Sequence, residues 1–317
     1  MTITSDSITP LIGSMEKKEL KVKSEIIHQY TLPFGVNGCL ALSNDMCVIL
    51  GTNSGELGKF VLLNSGSIEV LDYEVPSMDK CGFNYRGALF ITDVGFGCVF
   101  DHELVEYDLR KRTFKTTSVK DSLPRDEANR KTGPYRAAVK VSEKEYLVTL
   151  QDNFHYFKTK YFCTLKKNMW GARYDPFIYT MKRATFSSTV DCHATYTNGR
   201  LLFHRCEYGY MLSDRDNDIS EFCEIANGRE NFIATVTKGM GRFTSDQEHL
   251  LIKTYTKPYV LEFYSLQGEK LFTIPLTPKR VIGNIEKRYL EFFDKYDSTI
   301  WMGRNYSVTQ TRFETSQ

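Results

Sequence analysis

The residues whose types and spacing come closest to a chemical site lie between Asp191 and Cys206. The stretch "DCHATYTNGRLLFHRC" places two histidines, a carboxylate and a thiol on either side of an Asn-Gly pair. Imidazole nitrogen, cysteine sulfur and carboxylate oxygen are the ligands that zinc takes in proteins. The chemistry would therefore be that of a metal centre, if the fold brings these side chains together.

The Asn-Gly pair predicts a β-hairpin with a two-residue turn, which fixes the register of the two strands. His193 then lies opposite His204, and Asp191 lies opposite Cys206. Side chains alternate along a strand, so all four project from one face of the sheet. The hypothesis is a metal site of these four residues. We favour the alternative, that they are buried polar groups with ordinary hydrogen bonds, because four ligands on a flat face fit a tetrahedron poorly.

A second set of residues combines positive charge with aromatic rings. The stretch "YFKTKYFCTLKKNMWGARYDPF", residues 156–177, contains Lys166, Lys167, Trp170, Arg173 and Tyr174. Such residues suit single-stranded nucleic acid or another polyanion. They suit a protein partner better, because Trp, Tyr and Arg concentrate at the energetic centres of protein interfaces. The net charge of only +2 also gives no general attraction for nucleic acid.

A third segment is charged and contains Pro and Gly. It runs over residues 120–136, "KDSLPRDEANRKTGPYR", and includes Arg125 and Arg130. Together with residues 166–176 it interrupts an otherwise regular spacing, so we interpret both as loop insertions. Loops on a folded scaffold carry much of protein recognition. We therefore predict that Arg125 and Arg130 also contact a partner.

The elements that must position these residues are β-strands. Short runs rich in Val, Ile, Leu, Phe, Tyr and Thr alternate with Asn, Asp, Gly and Ser turns, and helical periodicity is nearly absent. The pattern recurs about every fifty residues, as in four-stranded propeller blades. The second strand of each unit can be anchored at Val48, Phe90, Leu147, Leu202, Leu251 and Trp301.

These units predict an all-β fold, a six-bladed β-propeller of four-stranded antiparallel sheets. Residues 1–23 form a polar leader that we expect to be disordered, and residues 24–317 form one domain. The last unit has residues for only three strands, so the segment 24–32 is predicted to add the outer strand and close the ring. The predicted blades are 34–76, 77–120, 137–182, 186–232, 234–277, and 281–317 with 24–32.

Two stretches resemble β-propellers of the NHL-repeat, YVTN-repeat and WD-repeat kind. "LFITDVGFGCVFD" looks like the second strand and turn of an NHL-type blade, and "LLIKTYTKPYVLEFYSLQGEKLFTIPL" looks like strands two to four of a generic blade. The Trp-Asp and Gly-His pairs, the Tyr-Trp-Thr-Asp motif and the sialidase-type Asp-box are missing. The resemblance therefore implies architecture and carries no residue-level function.

The composition of the chain indicates the cellular compartment of the protein. No stretch approaches the roughly 20 apolar residues that cross a bilayer, and the first residues lack the apolar run of a secretion signal. Eight cysteines are scattered, mostly in apolar runs, without a CxxC pair. Free, buried thiols in a reducing compartment are the interpretation we favour. We expect a cytoplasmic protein without a membrane partner or cofactor.

The leading functional hypothesis is a non-catalytic interaction platform that binds another protein through propeller loops, because no catalytic motif is present. The alternative is an enzyme, a hydrolase or lyase acting on a small molecule or glycan at the mouth of the central channel. Asp45, Asp93, Asp152 and Asp246 would supply its carboxylates. Aspartate at strand ends is also a common turn former, so these positions alone do not decide between the two.

Overall fold

The structure of the protein is a computed structural model that describes most of the chain between residues 20 and 316. The described residues are 20–52, 58–75, 88–100, 103–119, 132–133, 138–152, 158–175, 179–180, 188–197, 199–209, 219–226, 229–237, 239–254, 260–276 and 291–316. Every regular element among them is a β-strand. Most of the predicted leader lies outside these ranges, as do Arg125 and Arg130.

Four of the six sheets are regular four-stranded blades. Blade one contains β2 (Gly35–Ala41), β3 (Met46–Thr52), β4 (Gly58–Asn64) and β5 (Ser67–Val75). Blade two contains β6 (Ala88–Thr92), β7 (Gly95–Phe100), β8 (Glu103–Asp108) and β9 (Thr113–Ser118). Blade four contains β16 (Ser188–Thr197), β17 (Arg200–Gly209), β18 (Ile219–Ala226) and β19 (Arg229–Thr237). Blade five contains β20 (Gly239–Phe243), β21 (His249–Thr254), β22 (Val260–Ser265) and β23 (Lys270–Pro275).

Blades three and six follow the same plan with one variation each. In blade three, β10 (Thr132–Gly133) and β11 (Ala138–Lys140) share one side of β12 (Glu145–Asp152), while β14 (Gly171–Tyr174) and β15 (Tyr179–Thr180) share one side of β13 (Lys158–Asn168). Blade six contains β24 (Glu291–Tyr296), β25 (Thr299–Arg304), β26 (Ser307–Ser316) and, from the start of the chain, β1 (Lys21–Thr31). The prediction of a six-bladed β-propeller is confirmed.

The first strand of each blade lies at the centre of the ring. Strand β2 packs beside β6 and β24, β11 packs beside β6 and β16, and β20 packs beside β16 and β24. Both faces of such a strand are therefore covered by neighbouring blades. On β2, Cys39 joins the hydrophobic cluster toward blade six, while Leu40 joins the cluster toward blade two. Residues on both faces of an innermost strand are therefore buried, as the alternate neighbours Cys39 and Leu40 show.

The ring closes as predicted, through an outer strand supplied by the start of the chain. Strand β1 pairs antiparallel with β26, from Lys21 opposite Ser316 to Thr31 opposite Ser307, and starts three residues before the predicted position. The Tyr30 hydroxyl donates to Gln310 Oε1 at 3.2 Å, and the Tyr30 ring stacks on the buried Trp301. This pairing joins the two ends of the chain within one sheet.

One assignment within the repeat was wrong. Phe90 lies on the innermost strand β6, whereas the second strand of blade two is β7. The turn between them consists of Asp93 and Val94, and Phe90 pairs with Gly97 across the hairpin. A Cβ on Gly97 would lie 2.2 Å from the Phe90 ring, so the ring needs a glycine opposite it. The run "GFGCVF" forms the second strand, β7, so Phe90, which was predicted to mark the second strand, lies on the first strand instead.

The second predicted insertion is also different. Residues 166–176 were interpreted as a loop, but most of them form the hairpin between β13 and β14, with Lys167 opposite Ala172 and Asn168 opposite Gly171. Gly171 has a φ of 138°, a conformation that side chains rarely tolerate, and it allows the tight turn at Met169 and Trp170. The irregular spacing of the repeat at residues 166–176 therefore reflects the β13–β14 hairpin of blade three and not an inserted loop.

Candidate functional site

The connections between strands alternate between the two ends of the propeller, because neighbouring strands are antiparallel. One end carries the turns between the first and second strands and between the third and fourth strands; we call it the hairpin face. Its described turns include residues 42–45, 65–66, 93–94, 109–112, 141–144, 169–170, 244–248, 266–269 and 297–298. All sites discussed below except the 191–206 hairpin lie on this face or directly beneath it.

The most exposed large apolar side chains in the described part of the chain lie at the β13–β14 turn. Met169 is 87% exposed and Trp170 is 74% exposed. The Trp170 amide donates to Asn168 Oδ1 at 2.8 Å, which fixes the backbone of the turn while leaving both side chains in solvent. We call Met169 and Trp170 the blade-three tip.

The charged residues predicted beside Trp170 separate into two groups. Lys166 and Arg173 are exposed on the same hairpin, and Lys166 Nζ lies 2.5 Å from Asp175 Oδ2. Tyr174 is only half-buried, but it packs on the hydrophobic cluster between blades two and three. Lys167 is mostly buried and forms an ion pair with Glu106. The structure thus presents Lys166, Trp170 and Arg173 outward and directs Lys167 inward.

Glu106 explains why Lys167 points away from solvent. This carboxylate of blade two accepts hydrogen bonds from Lys167 and, at 2.8 Å, from the Tyr146 hydroxyl of blade three. Burial would raise the pKa of Glu106, but these two bonds outweigh it and the net shift is downward. The carboxylate therefore stays ionised at neutral pH. Lys167 fastens two blades together, and its charge is neutralised there.

The channel mouth holds a small cavity beneath the hairpin face. Its volume is about 60 Å³, and residues from blades one to five line it. Among the described residues the lining includes the cations Lys140 and Arg242 and no carboxylate. Lys140 Nζ lies 3.3 Å from Asp93 Oδ2 and 3.1 Å from Glu143 Oε1, both on exposed side chains outside the lining.

The four aspartates predicted for a channel-mouth enzyme do not converge on this cavity in the described part. Asp93 pairs with Lys140, whereas Asp246 pairs with Lys295 of blade six. Asp45 is exposed on the turn of blade one. The side chain of Asp152 lies outside the described residues.

The most buried acidic residue in the described part of the chain is Asp294, which has no exposed surface and was not predicted as a site residue. It accepts hydrogen bonds from the Ala41 amide of blade one at 2.8 Å and from the Ser245 amide and hydroxyl of blade five. Arg242 Nη2 lies 3.2 Å from the same carboxylate. Burial raises the pKa of Asp294, and Arg242 and Ser245 offset only part of that rise.

Lys295, beside Asp294, continues this network on the hairpin face. It is 2% exposed, and its ammonium contacts Asp246 and, at 3.3 Å, Glu248. Asn44 of blade one donates to Asp297 at 2.8 Å. These contacts join blades five, six and one where the ring closes. We call Asp294, Lys295 and their partners Arg242, Ser245, Asp246, Glu248 and Ala41 the closure seam.

The closure seam also contains the one set of potential metal ligands found among the described residues. Ligand atoms of Asp246, Glu248 and His249 lie within 4.8 Å of one another. The Lys295 ammonium already contacts both carboxylates. An ammonium therefore supplies the positive charge that a metal would bring, and we assign no metal here.

The strand register of the 191–206 hairpin is the predicted one. His193 pairs with His204, and Asp191 pairs with Cys206. His204 is 1% exposed, and its ring lies against Gly241 of blade five, where a Cβ would approach it to 2.3 Å. The side chains of Asp191, His193 and Cys206 lie outside the described residues. The metal site therefore stays a prediction.

Known proteins resemble this chain in fold but not in sequence. No protein-family model and no curated protein matches it. The solved structure of AofleA from Arthrobotrys oligospora aligns with a TM-score of 0.52 at 10% identity, over 92% of this chain and 86% of AofleA. A variant of AofleA with three arginines replaced by alanine aligns over the same shares, with a TM-score of 0.50 and 9% identity.

The extracellular domain of a protein from B. thetaiotaomicron, described as a hybrid two-component system, aligns with a TM-score of 0.40 at 10% identity, over 89% of this chain and 33% of that one. At such identities the similarity concerns the fold alone. No helix in the described part of the chain has the length and apolar character to cross a membrane.

Proposed function

We propose that the protein is a non-catalytic interaction platform that binds a protein partner through its hairpin face, with the blade-three tip as the main contact. The observation that carries this proposal is the exposure of two adjacent large apolar side chains, Met169 and Trp170, at 87% and 74%. Burying Trp and Met side chains against a partner stabilises a complex more than burying most other residues. Lys166, Arg173 and Asp175 would form the polar rim around them.

The surroundings of the tip favour a protein over a polyanion. Lys166 is paired with Asp175, and Lys167 is paired with Glu106. Two of the positive charges that suggested nucleic acid are thus already paired with carboxylates of the same protein. The apolar pair remains available, and burial of apolar surface is a main source of affinity between proteins.

The channel mouth gives less support to an enzyme. A hydrolase or lyase site needs a general acid and a general base within reach of one substrate. The cavity lining contributes two cations and no carboxylate in the described residues. We also propose, because the described residues include five buried free thiols, that the protein works in a reducing compartment such as the cytoplasm. Kinship with NHL-, YVTN- or WD-repeat propellers is part of the same proposal.

The test is quantitative capture of proteins from the native host on immobilised wild-type protein and on two variants. The double variant Met169→Ala with Trp170→Ala removes the tip. The matched control is Phe232→Ala, because Phe232 is 58% exposed on the outer strand of blade four. A captured protein that the control retains and the tip variant loses is the expected result. Equal capture by all three would overturn the assignment.

A further inference from the structure

The cavity at the channel mouth has cations on its lining without carboxylates beside them. Lys140 enters it from blade three and Arg242 from blade five, while Thr195, Thr244 and Ser245 add hydroxyl groups. The carboxylates that pair with these cations do not line the cavity: Asp294 holds Arg242 from blade six, and the partners of Lys140 are exposed. Pairing with exposed carboxylates is weakened by water and salt. The described lining is therefore electropositive.

Arg242 is held in place by contacts with two other blades. Its Nη1 donates to the Cys39 carbonyl of blade one and its Nη2 pairs with Asp294 of blade six, which fixes the guanidinium beside the cavity. A guanidinium has five N–H donors, so these two contacts leave donors that a further acceptor can use.

The size of the cavity limits what that acceptor can be. One buried water needs about 10–15 Å³ of such space, so a cavity of about 60 Å³ holds on the order of five waters. A group with four or five non-hydrogen atoms displaces about that number. Guanidinium groups bind carboxylate and phosphate oxygens especially well, and an ammonium adds a second point charge.

We propose that the channel-mouth cavity binds a small oxyanion, a carboxylate or phosphate group, held between Arg242 and Lys140. Thr195 also lines the cavity, and its hydroxyl group is a further donor within the same space. The exposed Gln247 also lines the cavity, which is too small for more than the anionic group of a larger molecule. This site is separate from the blade-three tip and does not depend on the proposed protein binding.

The experiment is equilibrium dialysis of the full chain with radiolabelled inorganic phosphate and, separately, with radiolabelled acetate at constant ionic strength. We expect saturable binding of at least one probe at one site per chain, with a dissociation constant of about 1 mM or tighter. Binding of phosphate alone or of acetate alone identifies the class of oxyanion. Radiolabelled glycerol, which is neutral and of similar size, should not bind.

Three variants locate the site. Lys140→Met removes the ammonium and leaves the closure seam untouched, and it should weaken binding about tenfold or more. Arg242→Lys keeps a positive charge beside Asp294 but removes the planar fork of N–H donors, and it should have a similar effect. Lys166→Met removes a lysine of the blade-three hairpin and should bind like the wild type. Absence of saturable binding, equal binding of glycerol, or equal binding by Lys140→Met and the wild type would each overturn the proposal.

Discussion

At the closure seam, lysine and aspartate lie side by side with almost no exposure, whereas at the blade-three hairpin lysine and aspartate pair in solvent beside an exposed tryptophan. Asp294 is completely buried and is hydrogen-bonded to three blades. Lys166 and Asp175 join two neighbouring strands of one blade and retain 51% and 39% side-chain exposure. The same residue types therefore serve two purposes, fastening the ring in one place and bordering an apolar surface in the other.

The two regions differ in position within the ring and in access to water. The seam connects the last blade to the first, and the chain crosses this junction only at its N-terminal end. The buried polar groups there must hydrogen-bond to one another, because water is excluded and cannot replace a lost partner. At the tip every polar group has water as a second partner, so ion pairs add little to stability. This contrast predicts that substitutions at the two sites have separate effects.

The largest effect on stability is expected from Asp294→Ala. It leaves the mostly buried Arg242 without its counter-charge and removes the acceptor of the Ala41 amide. Breaking a buried pair from one side costs about 3–5 kcal/mol, and urea unfolding at pH 7 measures it. The matched control is Asp297→Asn, an exposed neighbour at a positive φ that Asn tolerates, which should lower the free energy of unfolding by less than about 1 kcal/mol. Equal losses would mean that the seam does not fasten the ring.

A smaller loss is expected from Glu106→Gln, between blades two and three. The change keeps the shape and one acceptor for Tyr146 but removes the charge that Lys167 faces. We expect a loss of about 1–2 kcal/mol in urea unfolding. Glu143→Gln is the control, because Glu143 pairs with Lys140 while remaining 79% exposed, and it should change stability by less than about 0.5 kcal/mol. A Glu106 variant as stable as this control would contradict the fastening role of Lys167.

A pH-dependent effect is expected at the edge of the seam. Burial and the nearby Lys295 charge lower the pKa of His249. Folding therefore favours the neutral imidazole, and this contribution is present above the ordinary value of about 6.5 and is lost as pH falls through the lower folded pKa. Between pH 7.5 and 5.5 the melting temperature of His249→Gln should fall less than that of the wild type. Parallel curves for the two proteins would refute this assignment.

The smallest effect on stability is expected at the blade-three tip. Met169→Ala with Trp170→Ala removes side chains that are already in solvent, so urea unfolding should change by about 0.5 kcal/mol or less. A loss comparable to that of Glu106→Gln would show that the tip packs on the protein itself. A tip that packs on the protein itself would not be available to bind a partner.

Local signals in the sequence predicted the fold well. The Asn-Gly pair fixed the register between Asp191 and Cys206, and Asn64, Ser65 and Gly66 mark the turn between β4 and β5, where Ser65 and Gly66 have positive φ. Ring closure followed from counting strands in the last unit. Each of these features depends on residues close together in sequence or on the number of strands in each repeat.

The closure seam could not be predicted in the same way. Asp294 meets Ala41 across 253 positions and Ser245 across 49 positions, so its partners become neighbours only in the folded ring. A signal was nevertheless present, because Asp294 and Lys295 interrupt the apolar strand "EFFDKY". Asp246 lies in a turn, as aspartate at strand ends often does, but its bond to Lys295 depends on the neighbouring blade.

Site-specific photo-cross-linking tests the functional role of the blade-three tip most directly. A benzophenone amino acid is placed at position 170 in one protein and at position 232 in another, and both are irradiated in extract of the native host. We expect one discrete adduct from position 170 and none from position 232, because the blade-three tip is the proposed contact with a partner. Identical adducts from both positions, or none from position 170, would contradict it.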